Sequence, residues 1–243
     1  MKKILMILFT LVVTLGLFGC GQSIASAEDY TIDKEVVIEK ELTLEDSKKS
    51  FEELEEKEDS KYVSCDFKLE ESSAKMTMKM TLVYEGAVIN GAMDANMSMG
   101  GVNINYSLYI KDNYFLLDLG AFGGKMKAEI PADEEINMDD LASYDLNEII
   151  EEFFEDMVDT TGNLKTGYDK NGCLVLDYSD EEIKARFVFD QGYPVYFYAQ
   201  EGAEGVFEMK FSYEKTSVEF PEGLNLEDYE TISWDSLQGN LGM

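Results

Sequence analysis

Histidine is absent from all 243 residues, arginine and tryptophan occur once each, and cysteine occurs three times. The missing histidine removes the commonest general base and the commonest metal ligand. No G-x-S-x-G elbow, phosphate-binding P-loop or dinucleotide fingerprint is present. Together these absences argue against most hydrolases, NTPases and oxidoreductases, and lead to the expectation of a chain that is not an enzyme and holds no cofactor or metal. Positive charge is also scarce, with 20 Lys and Arg against 50 Asp and Glu, a formal net charge of −30. Such a surface repels nucleic acid and anionic headgroups, so no nucleic-acid partner is expected. The acidic run Asp133, Glu134, Glu135, Asp139 and Asp140 reads as solvated surface. The stretch from Asp169 to Gly172 lacks the spacing of a calcium loop. Beyond the first twenty residues, no apolar run approaches the ~18 residues needed to span a bilayer.

Those first twenty residues have the form of a secretory signal, with Lys2 and Lys3 ahead of the apolar run ILMILFTLVVTLGLF. The run ends in LFGC, Leu17 to Cys20, which resembles the bacterial lipobox. That resemblance implies removal of residues 1–19 and a diacylglycerol on the Cys20 sulfur. It places the mature chain on the extracytoplasmic face of a membrane, held there through lipid. Losing Lys2 and Lys3 takes the formal charge from −30 to −32. Residues 20–42 are polar and without clear period, and read as a flexible tether.

Residues 43–58 open with Thr43 and Asp46 in capping spacing, and Leu44, Ser47, Phe51 and Leu54 share one helical face. From residue 62 the apolar period becomes two. Val63, Cys65, Phe67 and Leu69 alternate with polar neighbours, and AKMTMKMTLVY, VINGAMDANMSM, VNINYSLYI and YFLLDL follow. The separators Glu85-Gly86, Gly100-Gly101 and Asp112-Asn113 read as two-residue hairpin turns. Opposed residue numbers then sum to 171, 201 and 225, placing Met78 with Met93, Met97 with Ile104, and Leu108 with Leu117. All three turns put apolar side chains on one face. The other carries Lys75, Thr77, Asp94, Asn96, Ser98, Asn103, Asn105 and Ser107.

The strand pattern stops at 133–162, where Leu146, Ile149, Ile150, Phe153, Phe154, Met157 and Val158 form the broad apolar face of an amphipathic helix. A second set of hairpins follows, with turns at Asn171-Gly172 and Gln191-Gly192. Phe207, Met209, Phe211 and Tyr213 line one face of its last strand. About eleven strands result, more than an open sheet holds without curling. Residues 221–243 read as a closing segment and tail.

A lipid-anchored chain with an N-terminal helix, a long meander, one interrupting amphipathic helix and a second meander resembles the Lol-type lipoprotein carriers, including outer-membrane lipoprotein carriers and mycobacterial glycolipid-carrier lipoproteins. The likeness covers roughly residues 43–220 and rests on element order and apolar pattern. It implies an α+β fold: a strongly curved antiparallel half-barrel whose concave apolar face is covered by one or two amphipathic helices and admits acyl chains. No residue role carries over beyond Cys20. The lysine-rich, arginine-poor composition fits a surface lipoprotein encoded in an AT-rich Gram-positive genome.

The residues expected to line that face are Met76, Met78, Met80, Leu82, Met93, Met97, Met99, Ile104, Tyr106, Leu108 and Leu117, with Ile150, Phe153, Phe154 and Met157 from the interrupting helix. Methionine is unbranched and polarizable, so a wall built from it repacks around flexible chains. Two readings stay open. The face holds a lipid or acyl ligand, or it is filled core and the domain serves an envelope protein partner. Cys65 and Cys173 remain once Cys20 carries lipid; a bridge between them and two free thiols are both open, the second favoured by their opposed positions.

Overall fold

The computed structural model describes residues 24–52, 61–85, 88–131, 163–202, 205–234 and 236. Thirteen strands form one sheet: β1 (Ile38–Glu41), β2 (Tyr62–Glu70), β3 (Ala74–Glu85), β4 (Val88–Met99), β5 (Val102–Lys111), β6 (Tyr114–Asp118), β7 (Lys125–Glu129), β8 (Asn163–Asp169), β9 (Leu174–Ser179), β10 (Ile183–Asp190), β11 (Tyr193–Glu201), β12 (Gly205–Ser212) and β13 (Glu230–Thr231). Their lateral order is β1-β8-β9-β10-β11-β12-β2-β3-β4-β5-β6-β7-β13. Neighbours are antiparallel except β13, which lies parallel to β7. The sheet is open, with β1 and β13 at its two ends. The chain is thus α+β with two consecutive meanders, β2–β7 and β8–β12, joined where β12 pairs with β2.

About eleven strands were expected and thirteen are found. The terminal two, β1 and β13, lie in segments read from the sequence as tether and tail. Both are short and weakly alternating, and each exists because a long meander edge offers it unpaired backbone groups.

The hairpin registers follow from local turn chemistry. Gly100 and Gly101, Asp112 and Asn113, and Gln191 with Gly192 all have positive φ. These are the left-handed pairs that a two-residue turn between right-twisted strands requires. The sums of 201 and 225 hold: Met97 faces Ile104, Met93 faces Leu108, and Leu108 faces Leu117. The first sum is corrected from 171 to 173. Glu85 pairs with Val88, so Met80 faces Met93, and Met78 faces Ala95. Moving a turn by one residue moves the register by two, which leaves every side chain on its original face. At Asn171-Gly172 the expected two-residue turn is a three-residue connection. Asp169 N–H donates to Cys173 O at 3.0 Å, and Gly172, at φ 85°, takes the left-handed position.

The segment read as a flexible tether is, from Ile24 onward, packed against the sheet. Ala27 and Tyr30, on the 3-10 turn Ala27–Tyr30, are buried against Val175, Val188, Val195 and Tyr196. The Tyr30 hydroxyl donates to Asp169 Oδ2 at 2.7 Å, and Ala25 N–H donates to Asp190 Oδ2 at 2.8 Å. Arg186, the sole arginine, is 4% exposed. It grips Asp177 with two nitrogens, at 3.0 and 3.2 Å, and donates from Nη1 to the carbonyls of Tyr30, Thr31 and Lys34. Only a planar five-donor fork reaches a carboxylate and three strap carbonyls together. This N-terminal strap covers one side of β9–β12. On the same side, Phe220, Leu224, Leu226 and Tyr229 of the C-terminal segment cover Tyr109 and Leu116.

α1 (Leu44–Glu52) starts as the sequence predicts. Thr43 Oγ1 accepts from Asp46 N–H at 3.0 Å and donates to the Asp46 carboxylate at 2.7 Å. The helix sits over β8, where fully buried Ser47 meets the Thr166 hydroxyl. The expected helix 146–158, with Ile150, Phe153, Phe154 and Met157, lies outside the described residues, as does the acidic run beginning at Asp133.

Candidate functional site

The face opposite the two straps is the apolar one, built in lateral rows because each antiparallel pair sets side chains level. One row runs Thr166, Leu176, Phe187, Phe197, Met209, Phe67, Met78, Ala95 and Tyr106. The next runs Phe211, Cys65, Met80, Met93, Leu108, Leu117 and Met126. A third, toward the β4–β5 turn, holds Phe207, Leu69, Met76, Met97 and Ile104. The seam between β12 and β2 thus joins the methionines of the first meander to the phenylalanines of the second in one cluster.

Burial along this face is graded. Met78 is 2% exposed, Met80 6%, Leu82 6%, Met93 7% and Leu117 5%. Met76, Met97, Ile104, Tyr106 and Leu108 are half-buried. At the tip of the β4–β5 hairpin, Met99 and Val102 rise to 55% and 46%. The pairing therefore puts all eleven expected strand residues on one side of the sheet; ten are buried or half-buried, and Met99 is exposed at the hairpin tip, where the sheet ends. The sequence missed Tyr178, Phe189 and Phe197, which belong to the same cluster. Their alternation was visible, but nothing in it showed that β12 would pair with β2.

Tyr84 and Tyr106 are among the tyrosines packed on this face. Burial raises the pKa of Tyr84 and of Tyr106, so each stays a protonated donor well above neutral pH. The face thus offers flexible apolar contact with two hydroxyl donors beside it.

Cys65 and Cys173 are both buried and unbridged. They lie on opposite faces of the sheet, Cys65 among the methionines and Cys173 under the N-terminal strap. Burial raises both thiols, Cys173 to about 12. Asp169 spends its carboxylate on Tyr30, Asn171 and Cys173 N–H, so the Asp169–Gly172 loop is fastened internally. Ser72 and Lys75 have the spacing of a Ser-x-x-Lys pair, yet Ser72 is an exposed residue between strands and Lys75 pairs with Glu70 at 3.4 Å. Among the described residues no group of three His, Cys, Asp or Glu side chains could hold a metal ion. None of the described helices is long and apolar enough to cross a membrane.

The opposite face of β3–β5 carries the predicted polar set. Lys75, Thr77, Asn96, Ser98, Asn103 and Asn105, together with Met76 and Met97, line an open depression of about 370 Å³. It is shallow and water-facing. Comparison with known proteins finds no family model that matches this chain and no match among curated sequences.

Proposed function

We propose that this is a non-enzymatic lipoprotein, anchored through lipid on Cys20 at the extracytoplasmic face of a membrane, whose methionine face binds or shields an apolar ligand such as an acyl chain. The carrying observation is the graded face: one continuous apolar surface passes from Met78 and Met93, nearly sealed, to Met76, Met97 and Ile104, half-open. A chain laid along it displaces water from an already connected wall. At ~25 cal/mol per Å² of apolar area, covering one acyl chain supplies several kcal/mol. Tyr106, beside the half-open row of Met76, Met97 and Ile104, would donate to its polar end. In this reading, thirteen right-twisted strands curl into a half-barrel.

Protein purified without detergent and extracted with organic solvent tests this by mass spectrometry. Recovery of acyl lipid in near-stoichiometric amount, lost in a Met76→Glu, Met97→Glu variant that still folds, is the expected result. An empty extract, with no uptake of a fluorescent fatty acid, overturns it. A second reading is favoured by the near-complete burial of Met78, Met80 and Met93: the face is finished core and the domain works by docking another envelope protein. In that case the extract is empty and crosslinking recovers a partner.

A further inference from the structure

The packed N-terminal strap changes what a lipid on Cys20 does to the whole domain. A free coil of residues 20–42 would let the domain wander. Instead the chain is fixed to the sheet from Ile24 onward, with Ala25 held by Asp190 and Tyr30 by Asp169. Only residues 21–23 intervene between Cys20 and Ile24. Four peptide steps span at most about 14 Å when fully extended.

The anchoring point is at one end of the strands. Asp190 pairs with Tyr193 beside the Gln191-Gly192 turn, and Asp169 precedes the loop at 170–172. Through β12 and β2 this level of the sheet is continuous with Val63, Leu82 and Gly91. Met99 lies eight residues further along β4, about 27 Å toward the opposite end. Exposed Met99 and Val102 therefore occupy the end away from the anchor. The net charge of −30 opposes laying the domain flat on an anionic surface.

We infer that the domain stands on its 170–172 and 191–192 turns, these forming the membrane-proximal surface, and holds the open methionine rim at Met76, Met97, Met99 and Val102 away from the bilayer. This rests on the lipid-anchor reading above and adds to it a direction. Whatever enters the rim arrives from the far side, not from the leaflet that holds Cys20.

The test uses full-length lipidated protein in vesicles containing anionic lipid and an energy-transfer acceptor on the headgroup. A donor is attached at Lys170→Cys or at Met99→Cys, both exposed positions; the buried native thiols stay unlabelled. With about 27 Å of additional distance at residue 99, transfer there is roughly threefold weaker or less than at residue 170. Inserting a Gly/Ser linker of about ten residues before Ile24 removes the difference by freeing the pivot. Vesicle flotation and the mass of the N-terminal peptide report the lipid separately. Protein that does not float overturns the anchor and the inference with it. Protein that floats but transfers equally from both positions overturns the orientation alone.

Discussion

Arg186 is where the strap's attachment can be measured. Changing it to lysine keeps the charge but replaces a planar fork with a single ammonium, which can stay beside Asp177 or reach the strap, not both. The structure shows what is lost: the second arm on Asp177 and the Nη1 bonds to the carbonyls of Tyr30, Thr31 and Lys34. Leaving a buried acceptor unsatisfied costs about 1–3 kcal/mol. Asp177 is 26% exposed and regains some water, which brings the expected loss to about 3 kcal/mol. Arg186→Met, which strands the carboxylate altogether, costs up to about 5 kcal/mol. Trypsin reads the local event, because Lys34 lies on the strap and its own carbonyl is one of the acceptors. If cleavage follows the population of the detached strap, 3 kcal/mol raises the rate at Lys34 by about two orders of magnitude. Urea unfolding followed by circular dichroism gives the global value alongside it. A loss below about 1 kcal/mol in Arg186→Lys, with Lys34 as resistant as before, refutes the reasoning. The strap would then be held by apolar contact and the guanidinium would be incidental.

Further outcomes follow from the same structure. Met78→Ala should cost about 2–5 kcal/mol in chemical unfolding and Met99→Ala less than about 0.5, and equal costs would mean the face is not graded. Gly167 has φ 147°, and a Cβ there would clash with the Lys40 carbonyl oxygen; Gly167→Ala should therefore release β1, read as faster hydrogen exchange at residues 38–41, with protection unchanged if the pairing is wrong. The Tyr178 hydroxyl, then the backbone N–H groups of Ile183 and Glu182, hold the Asp180 carboxyl below its ordinary value. That stability is present above the unfolded carboxylate pKa of about 3.9 and is lost as pH falls through the lower folded value. Asp180→Asn should flatten this part of the acid limb, and an unchanged limb would count against the assignment. Cys65 and Cys173 should resist thiol reagents at neutral pH until the protein unfolds; fast reaction of Cys173 in the folded state would contradict its burial under Tyr30.

The meander was legible because its information is local. Two-fold alternation and Gly-Gly or Asp-Asn turns set both the face and the pairing of β4, β5 and β6, and the misplaced turn before Val88 slid the register without turning any side chain over. What connects distant pieces was not legible. That β12 pairs with β2 depends on edge competition among many apolar strands, and no short signal marks it. The strap was hidden for a different reason: Ile24, Ala27, Tyr30, Ile32, Val36 and Ile38 follow no regular period, because they fill gaps on a surface and do not form one face of an element. The clue lay in Arg186, a lone arginine in a chain that otherwise uses lysine. On the candidate site, the eleven strand positions were foreseen as a common face, while its extension across the seam to Phe197, Phe207 and Tyr178 needed the pairing of the two halves.

That seam also dictates how the molecule must be born. Strand β2 has its hydrogen-bonding partner β3 within a few residues, but the backbone groups of its other edge wait for β12, the last long strand to be synthesised. Until Phe207, Met209 and Phe211 arrive, a completed half-sheet stands with a sticky, unclosed border. Slow appearance of the chain's final quarter therefore prolongs the interval in which two unfinished copies can zip to each other.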